Sequence, residues 1–206
     1  FNHLLNYCAD KVNNNELEYA ITYLKLIDKL NNENLMLEQG IFDPIFFKNC
    51  ITMSILAKEV GKAEAFINTW SRYLKANIRE DIVQITRAII EFERGNWKKS
   101  EKILENYIPY DYYYKVLHDK ISLKILYVHV KSKNFKKENF IGKIHSAKKY
   151  ISTKKELTKE KKRKLLAFPN VLLNLCQGRT VELHEYKRIL SPSDYTWFQK
   201  QISEES

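Results

Sequence analysis

Apolar side chains recur at three- and four-residue spacing along almost the whole chain. In ELEYAITYLKLIDKL the set Leu17, Ala20, Tyr23, Leu24, Ile27 and Leu30 keeps this rhythm, which lines one face of a 3.6-residue helix for burial. DPIFFKNCITMSILAKEV opens with Asp43 and Pro44, an N-cap followed by the first-turn proline that helices accept. EDIVQITRAIIEFERGNW repeats the pattern and stops at Gly95, a C-terminal helix signal. NNNELE and NNENLMLEQG read as turns. Five glycines and four prolines in 206 residues are too few for the turns of a sheet protein. The pattern therefore predicts an all-α fold of about eleven helices, and a chain of this length needs no staples to hold its core.

Superposing the segments gives an internal repeat. With Ala20, Ala63, Ser100 and Glu138 as equivalent positions, Leu17, Val60, Trp97 and Phe135 stand three residues earlier. Tyr23, Phe66, Ile103 and Ile141 stand three later, and Ile27, Trp70, Tyr107 and His145 seven later. LHEYKRIL, with Leu183, Tyr186, Ile189 and Leu190, reads as a weaker fifth copy, and Glu138 and Gly142 make the fourth degenerate. A two-helix unit cannot bury its own apolar face, so such units stack. The expectation is one helical-repeat domain over residues 1–206, with approximate repeats 1–40, 41–76, 77–110, 111–152 and 153–206. The chain begins at Phe1 rather than Met, which reads as the C-terminal part of a longer protein.

GNWKKSEKIL (95–104) resembles the Gly-x-aromatic-x-x-small turn of the tetratricopeptide repeat. Through AEAFINTWSRYL, RAIIEFERGNWKKSEKIL, DYYYKVLHDKISLKILY and DYTWFQKQI the chain is also similar to the C-terminal part of a family of uncharacterised bacterial helical-repeat proteins, over most of residues 40–206. The resemblance implies a right-handed α-α superhelix, a TPR-like solenoid of antiparallel helix pairs. It implies no activity. Glu138 and Pro169 depart from its regular pattern.

Candidate chemistry is sparse. His3, His118, His129, His145 and His184 include no pair four residues apart and none near a cysteine in a ligand-like spacing, so no metal, cofactor or nucleophilic site is expected. The glycines are isolated, which leaves no phosphate loop. The carboxylate pairs Glu80–Asp81 and Glu91–Glu93 read as helix starts or exposed faces. An enzyme would need a cleft gathering His118 or His129 with a carboxylate. Cys8, Cys50 and Cys176 are odd in number and far apart, as expected of buried thiols in a reduced, cytoplasmic setting. No apolar run approaches the 18 or more residues of a membrane span, so no membrane partner is expected.

Two surface features remain. Between Lys131 and Lys164 stand 14 Lys or Arg against three acids, whereas the rest of the chain has 21 basic and 22 acidic residues. Within this segment Lys148, Lys149, Lys154, Lys155, Lys159, Lys161, Lys162, Arg163 and Lys164 concentrate the charge. Thr153 or Thr158 would cap the next helix. The cluster reads either as a solvated helix face or as a binding site for nucleic acid or an acidic protein. Tyr150 is its one aromatic ring, a poor basis for stacking on single strands. The second feature is YIPYDYYYK (107–115). Asp111 would start a helix running to about Lys131, with Tyr112 and Tyr114 packing opposite sides and Tyr107 in the core. Tyr110 and Tyr113 stay candidates for contact with a partner. The functional expectation is a non-catalytic protein- or peptide-binding module, with binding of an anionic partner through 148–164 as the alternative.

Overall fold

The computed structural model describes residues 1–37, 40–109 and 111–204. Among these residues the chain forms ten α-helices and two 3-10 turns, with no strand. They fall into two compact units, Phe1–Tyr114 and Lys115–Ser206.

The first unit holds α1 (Asn2–Asn13), α2 (Tyr19–Asn32), α3 (Pro44–Leu56), α4 (Val60–Trp70), a 3-10 turn (Ser71–Tyr73), α5 (Ala76–Glu93), α6 (Trp97–Glu105) and the first turn of α7 (Tyr112–Lys131). Helices adjacent in sequence pack together from α1 to α6, and α5 also packs on α3. Phe42, in the connector before α3, is fully buried. Its ring lies 5.3–5.6 Å from those of Phe46, Phe47, Phe66 and Trp70, and such pairs add roughly 0.5–1.5 kcal/mol each beyond burial. Its backbone N–H donates to the Tyr73 carbonyl at 2.9 Å, so the α2–α3 connector is pinned at this residue. Asp43 caps α3 as expected, accepting from the Phe46 N–H at 2.7 Å.

The second unit holds the rest of α7, then α8 (Lys137–Thr153), α9 (Lys159–Cys176), a 3-10 turn (Leu183–Tyr186) and α10 (Pro192–Ser203). Phe140, Ile144, Phe168, Val171, Leu172 and Phe198 form its core. Helix α9 continues through Pro169, so the proline neither divides the segment nor starts a new helix.

A chain this poor in glycine still turns tightly. Asn15, Asn34, Lys58, Gly95, Lys133 and Gly178 all adopt positive φ. Each follows the C-cap of its helix, and each carries the same pair of hydrogen bonds. At the end of α5, Gly95 N–H donates to the Phe92 carbonyl and Asn96 N–H to the Glu91 carbonyl, both at 2.9 Å. This is a Schellman cap, and it closes α1, α2, α3, α5, α7 and α9 alike. Only two of the six use glycine. Asparagine tolerates the left-handed region, while Lys58 and Lys133 occupy it under strain.

Four of these left-handed residues, Asn15, Lys58, Gly95 and Lys133, stand two positions ahead of Leu17, Val60, Trp97 and Phe135. Ala20, Ala63 and Ser100 are fully buried. Ser100 Oγ donates to the Ala88 carbonyl at 2.7 Å, a close approach of α6 to α5 that a larger side chain would block. In α8 the buried residues are Phe140, Ile144, Ala147 and Ile151. The fourth register is therefore displaced by two residues, and Glu138, Gly142 and His145 lie exposed on the outer face.

Two sequence expectations are corrected. LHEYKRIL forms only the short Leu183–Tyr186 turn. Beyond it the Ile189 and Leu190 N–H groups both donate to the Tyr186 carbonyl at 2.9 Å, and the chain then turns extended at Ser191, ahead of Pro192, with ψ 151°. Asp81 and Glu91 are buried rather than exposed, because each has partners from another helix or turn, described next.

Candidate functional site

The tyrosine segment is held by polar contacts inside the first unit. Asp111 Oδ1 accepts from the Tyr113 N–H at 2.7 Å, the expected cap of α7. Tyr113 itself is half-buried: Lys48 Nζ of α3 donates to its hydroxyl at 2.5 Å and lies 4.9 Å from its ring centroid. Tyr114 packs against the core, and burial, then the nearby Tyr113, pushes its hydroxyl up to about 12. Tyr107 is half-buried, and its hydroxyl donates to Asp81 Oδ1. Burial and that carboxylate together drive its pKa well above the usual tyrosine value. Tyr110 lies outside the described residues.

The basic segment spans the end of α8, a turn and the start of α9. Thr158, not Thr153, is the N-cap, accepting from the Lys161 N–H at 3.2 Å. Thr153 instead donates back to the Lys149 carbonyl within α8 at 3.0 Å. Three cations here have partners within the fold. Lys162 Nζ donates to the Ser152 carbonyl at 2.8 Å. Lys154 lies 4.6 Å over the Tyr150 ring and 3.8 Å from Glu156, and Lys164 pairs with Glu160 at 3.1 Å. Among the described residues, Lys148, Lys149, Lys155, Lys159, Lys161 and Arg163 have no acidic partner, and all but the half-buried Lys148 are exposed.

Three internal clusters escaped the sequence reading. In the second unit Asp194, 1% exposed, accepts from Lys120 Nζ at 2.6 Å, from Lys124 Nζ at 3.0 Å and from Ser191 Oγ at 2.5 Å. Burial alone would raise its pKa, but the two ammonium groups and these hydrogen bonds hold it well below the carboxylate range. The lysines also lie 5.3–5.7 Å from the Phe168 and Trp197 rings. Asp194 is the third residue of α10 after its cap Ser191, a capping-box position legible in SPSD. Its partners sit four apart on α7, between two apolar stripes.

In the first unit Glu91 accepts from Lys99 Nζ at 2.8 Å and Asn96 Nδ2 at 2.9 Å, with Arg94 at 3.5 Å. Hydrogen bonding to Lys99 leads in holding its carboxyl below the usual range. The cluster ties the Gly95 turn to both helices it joins. The third cluster is Asp119, which accepts from Lys115 and from His118 Nδ1 at 3.3 Å. Burial opposes ionisation there, but the His118 and Lys115 hydrogen bonds win and the carboxyl stays low.

Asp119 and Lys120 also line a small pocket with Leu123, Ala147, Leu165 and Phe168. Its volume of about 10 Å³ holds at most one water. Among the described residues no three His, Cys, Asp or Glu side chains are placed to hold a metal ion, and no helix is long and apolar enough to cross a membrane. Cys8, Cys50 and Cys176 are buried free thiols. Burial raises the pKa of Cys8 and Cys50, which makes them inert packing groups.

No family model matches the chain, and neither the curated proteins nor the solved structures yield a match.

Proposed function

We propose that this chain is a non-catalytic interaction module, a TPR-like superhelix of helix pairs that serves as a scaffold for a protein or peptide partner. One observation carries the reading: polar side chains turn inward onto one another, while large apolar ones face outward in the first unit. Asp81 is taken by Tyr107, Tyr113 by Lys48, and Asp194 by two lysines. Ile45 is 67% exposed and Ile108 87%, and Leu4 and Tyr7 share an exposed face of α1. Exposed apolar groups of this size are what protein-binding surfaces use. The shared turn geometry ahead of Leu17, Val60, Trp97 and Phe135 supports the repeat reading.

The test is capture from a cell extract with the immobilised chain and with an L4E/I45E/I108E variant. A partner retained by the parent and lost from the variant is expected. Capture indifferent to the three substitutions would overturn the reading. So would turnover of a substrate that depends on His118 and Asp119. A second reading, an anionic partner at 148–164, is favoured by the six cations there that lack an acid.

A further inference from the structure

We infer that the α8–α9 tip is a phosphate-backbone site for double-stranded nucleic acid. The inference deepens the second reading above and rests on it. Charge is partitioned between the units: residues 1–114 hold 14 basic and 16 acidic side chains, and residues 115–206 hold 21 and 9. Within 148–164 the balance is nine basic to two acidic, or +7. Cations left unpaired on one surface repel one another, and an external polyanion relieves that repulsion.

The chemistry of the tip selects among polyanions. Interfaces with proteins are depleted in lysine and anchored by aromatic residues, whereas this surface is eight lysines and one arginine. Its single ring, Tyr150, is half-buried and covered by Lys154 at 4.6 Å and Lys115 at 5.7 Å. No ring is left for a base to stack on, which disfavours single strands. An anionic membrane surface is gripped by apolar side chains beside the cations, but Leu157 in this turn is buried, and every large apolar side chain found exposed belongs to the first unit. What remains is contact with phosphates alone. Such contact suits a duplex, whose charges recur about every 1.7 Å of axis.

Two contacts hold the turn that joins the two helices. Lys162 ties the start of α9 to the end of α8, and Lys154 is held against Tyr150. Lys148 and Lys149 project from α8, Lys155 from the turn, and Lys159, Lys161 and Arg163 from α9. Lys159 and Lys161 point to different sides of their helix, so about four of the six can meet one duplex. Four contacts predict a log–log salt slope of about −3 to −4, hence roughly 100-fold weaker binding at 200 mM than at 50 mM salt.

The experiment is fluorescence anisotropy with a 20-base-pair DNA duplex, the same-length RNA duplex and a single strand, at both salt concentrations. Phosphatidylserine vesicles and polyglutamate are run beside them. The variant K155Q/K159Q/K161Q/R163Q removes four exposed cations and is checked for folding by circular dichroism. K25Q/K75Q/K98Q/K102Q removes four from the first unit as a control of equal net charge. The expected result is duplex binding weakened at least tenfold by the first variant, with the slope reduced by two or more, and unchanged by the second. Absence of duplex binding at 50 mM salt overturns the inference, as does an equal effect of the two variants. Equal or tighter binding of vesicles, polyglutamate or single strand overturns it too and assigns the surface to that partner. Partner capture through Leu4, Ile45 and Ile108 is read separately, so its failure and the failure of this inference are distinguishable.

Discussion

Asp194→Asn tests the buried ion cluster of the second unit. The carboxylate lies 2.6 and 3.0 Å from the two ammonium groups. At an effective dielectric near 20 these contacts are worth roughly 6 and 5.5 kcal/mol of gross attraction. Desolvation of the three ions, several kcal/mol each, cancels most of it. The intact cluster therefore adds little net stability, and removing its anion alone is costly. Lys120, 19% exposed, can swing its ammonium toward water, but Lys124, 3% exposed, cannot. Removing the carboxylate from this buried pair is expected to cost about 3–5 kcal/mol, a fall of roughly 6–20 °C in Tm for a chain of this size. K124M in the D194N background removes the buried ammonium and should recover at least about 2 kcal/mol. Urea unfolding followed by far-UV and near-UV circular dichroism measures both, since Trp197 packs in the cluster. A loss below about 1 kcal/mol for D194N refutes the reasoning, as does a double variant no more stable than the single one.

The same cluster sets a pH dependence. The Asp194 pKa is depressed in the folded chain, so its contribution is complete above the unfolded value near 4. It is lost as pH falls below that value toward the folded one. Unfolding free energy between pH 5 and 2 should drop less steeply in D194N than in the parent, and equal slopes would contradict the assignment. Tyr107→Phe leaves the buried Asp81 without its hydroxyl donor and should cost about 1–3 kcal/mol, measured by urea unfolding; a neutral effect would show that the contact carries no energy. Gly95→Ala places a side chain at φ +78° and should cost about 1–2 kcal/mol. Lys133→Gly, at φ +60°, should shift Tm the other way. Two shifts of the same sign would mean that backbone strain does not govern these turns. Native Cys8, Cys50 and Cys176 should resist a thiol reagent until urea opens the chain; rapid labelling of the native chain would disprove their burial.

Helix existence was legible because it depends on local periodicity. The caps at Asp43 and Asp111, the stop at Gly95 and the burial of Ala20, Ala63 and Ser100 all follow from residues within a turn or two of one another. The left-handed caps at Lys58 and Lys133 were not legible, since lysine carries no preference for positive φ. There the following helix dictates the conformation and the side chain accepts it. The clusters were hidden for another reason. Glu91 and Asp194 look like surface carboxylates until packing brings Lys99 or Lys120 to them. The signals present, SPSD at a helix start and two lysines four apart between the apolar stripes of α7, name each half of the Asp194 cluster but not their meeting.

That distinction bears on the basic segment. Sequence counts its cations but cannot say which ones are spent within the fold. In the structure Lys154, Lys162 and Lys164 are engaged with Tyr150, the Ser152 carbonyl and Glu160, and Asp194 similarly occupies Lys120 and Lys124. The unpaired charge is then narrower than the composition suggests. Within 148–164, among the described residues, it comes down to Lys148, Lys149, Lys155, Lys159, Lys161 and Arg163. Salt slope, rather than affinity alone, separates a phosphate-binding surface from a solvated helix face, because only the first releases counterions when the duplex binds.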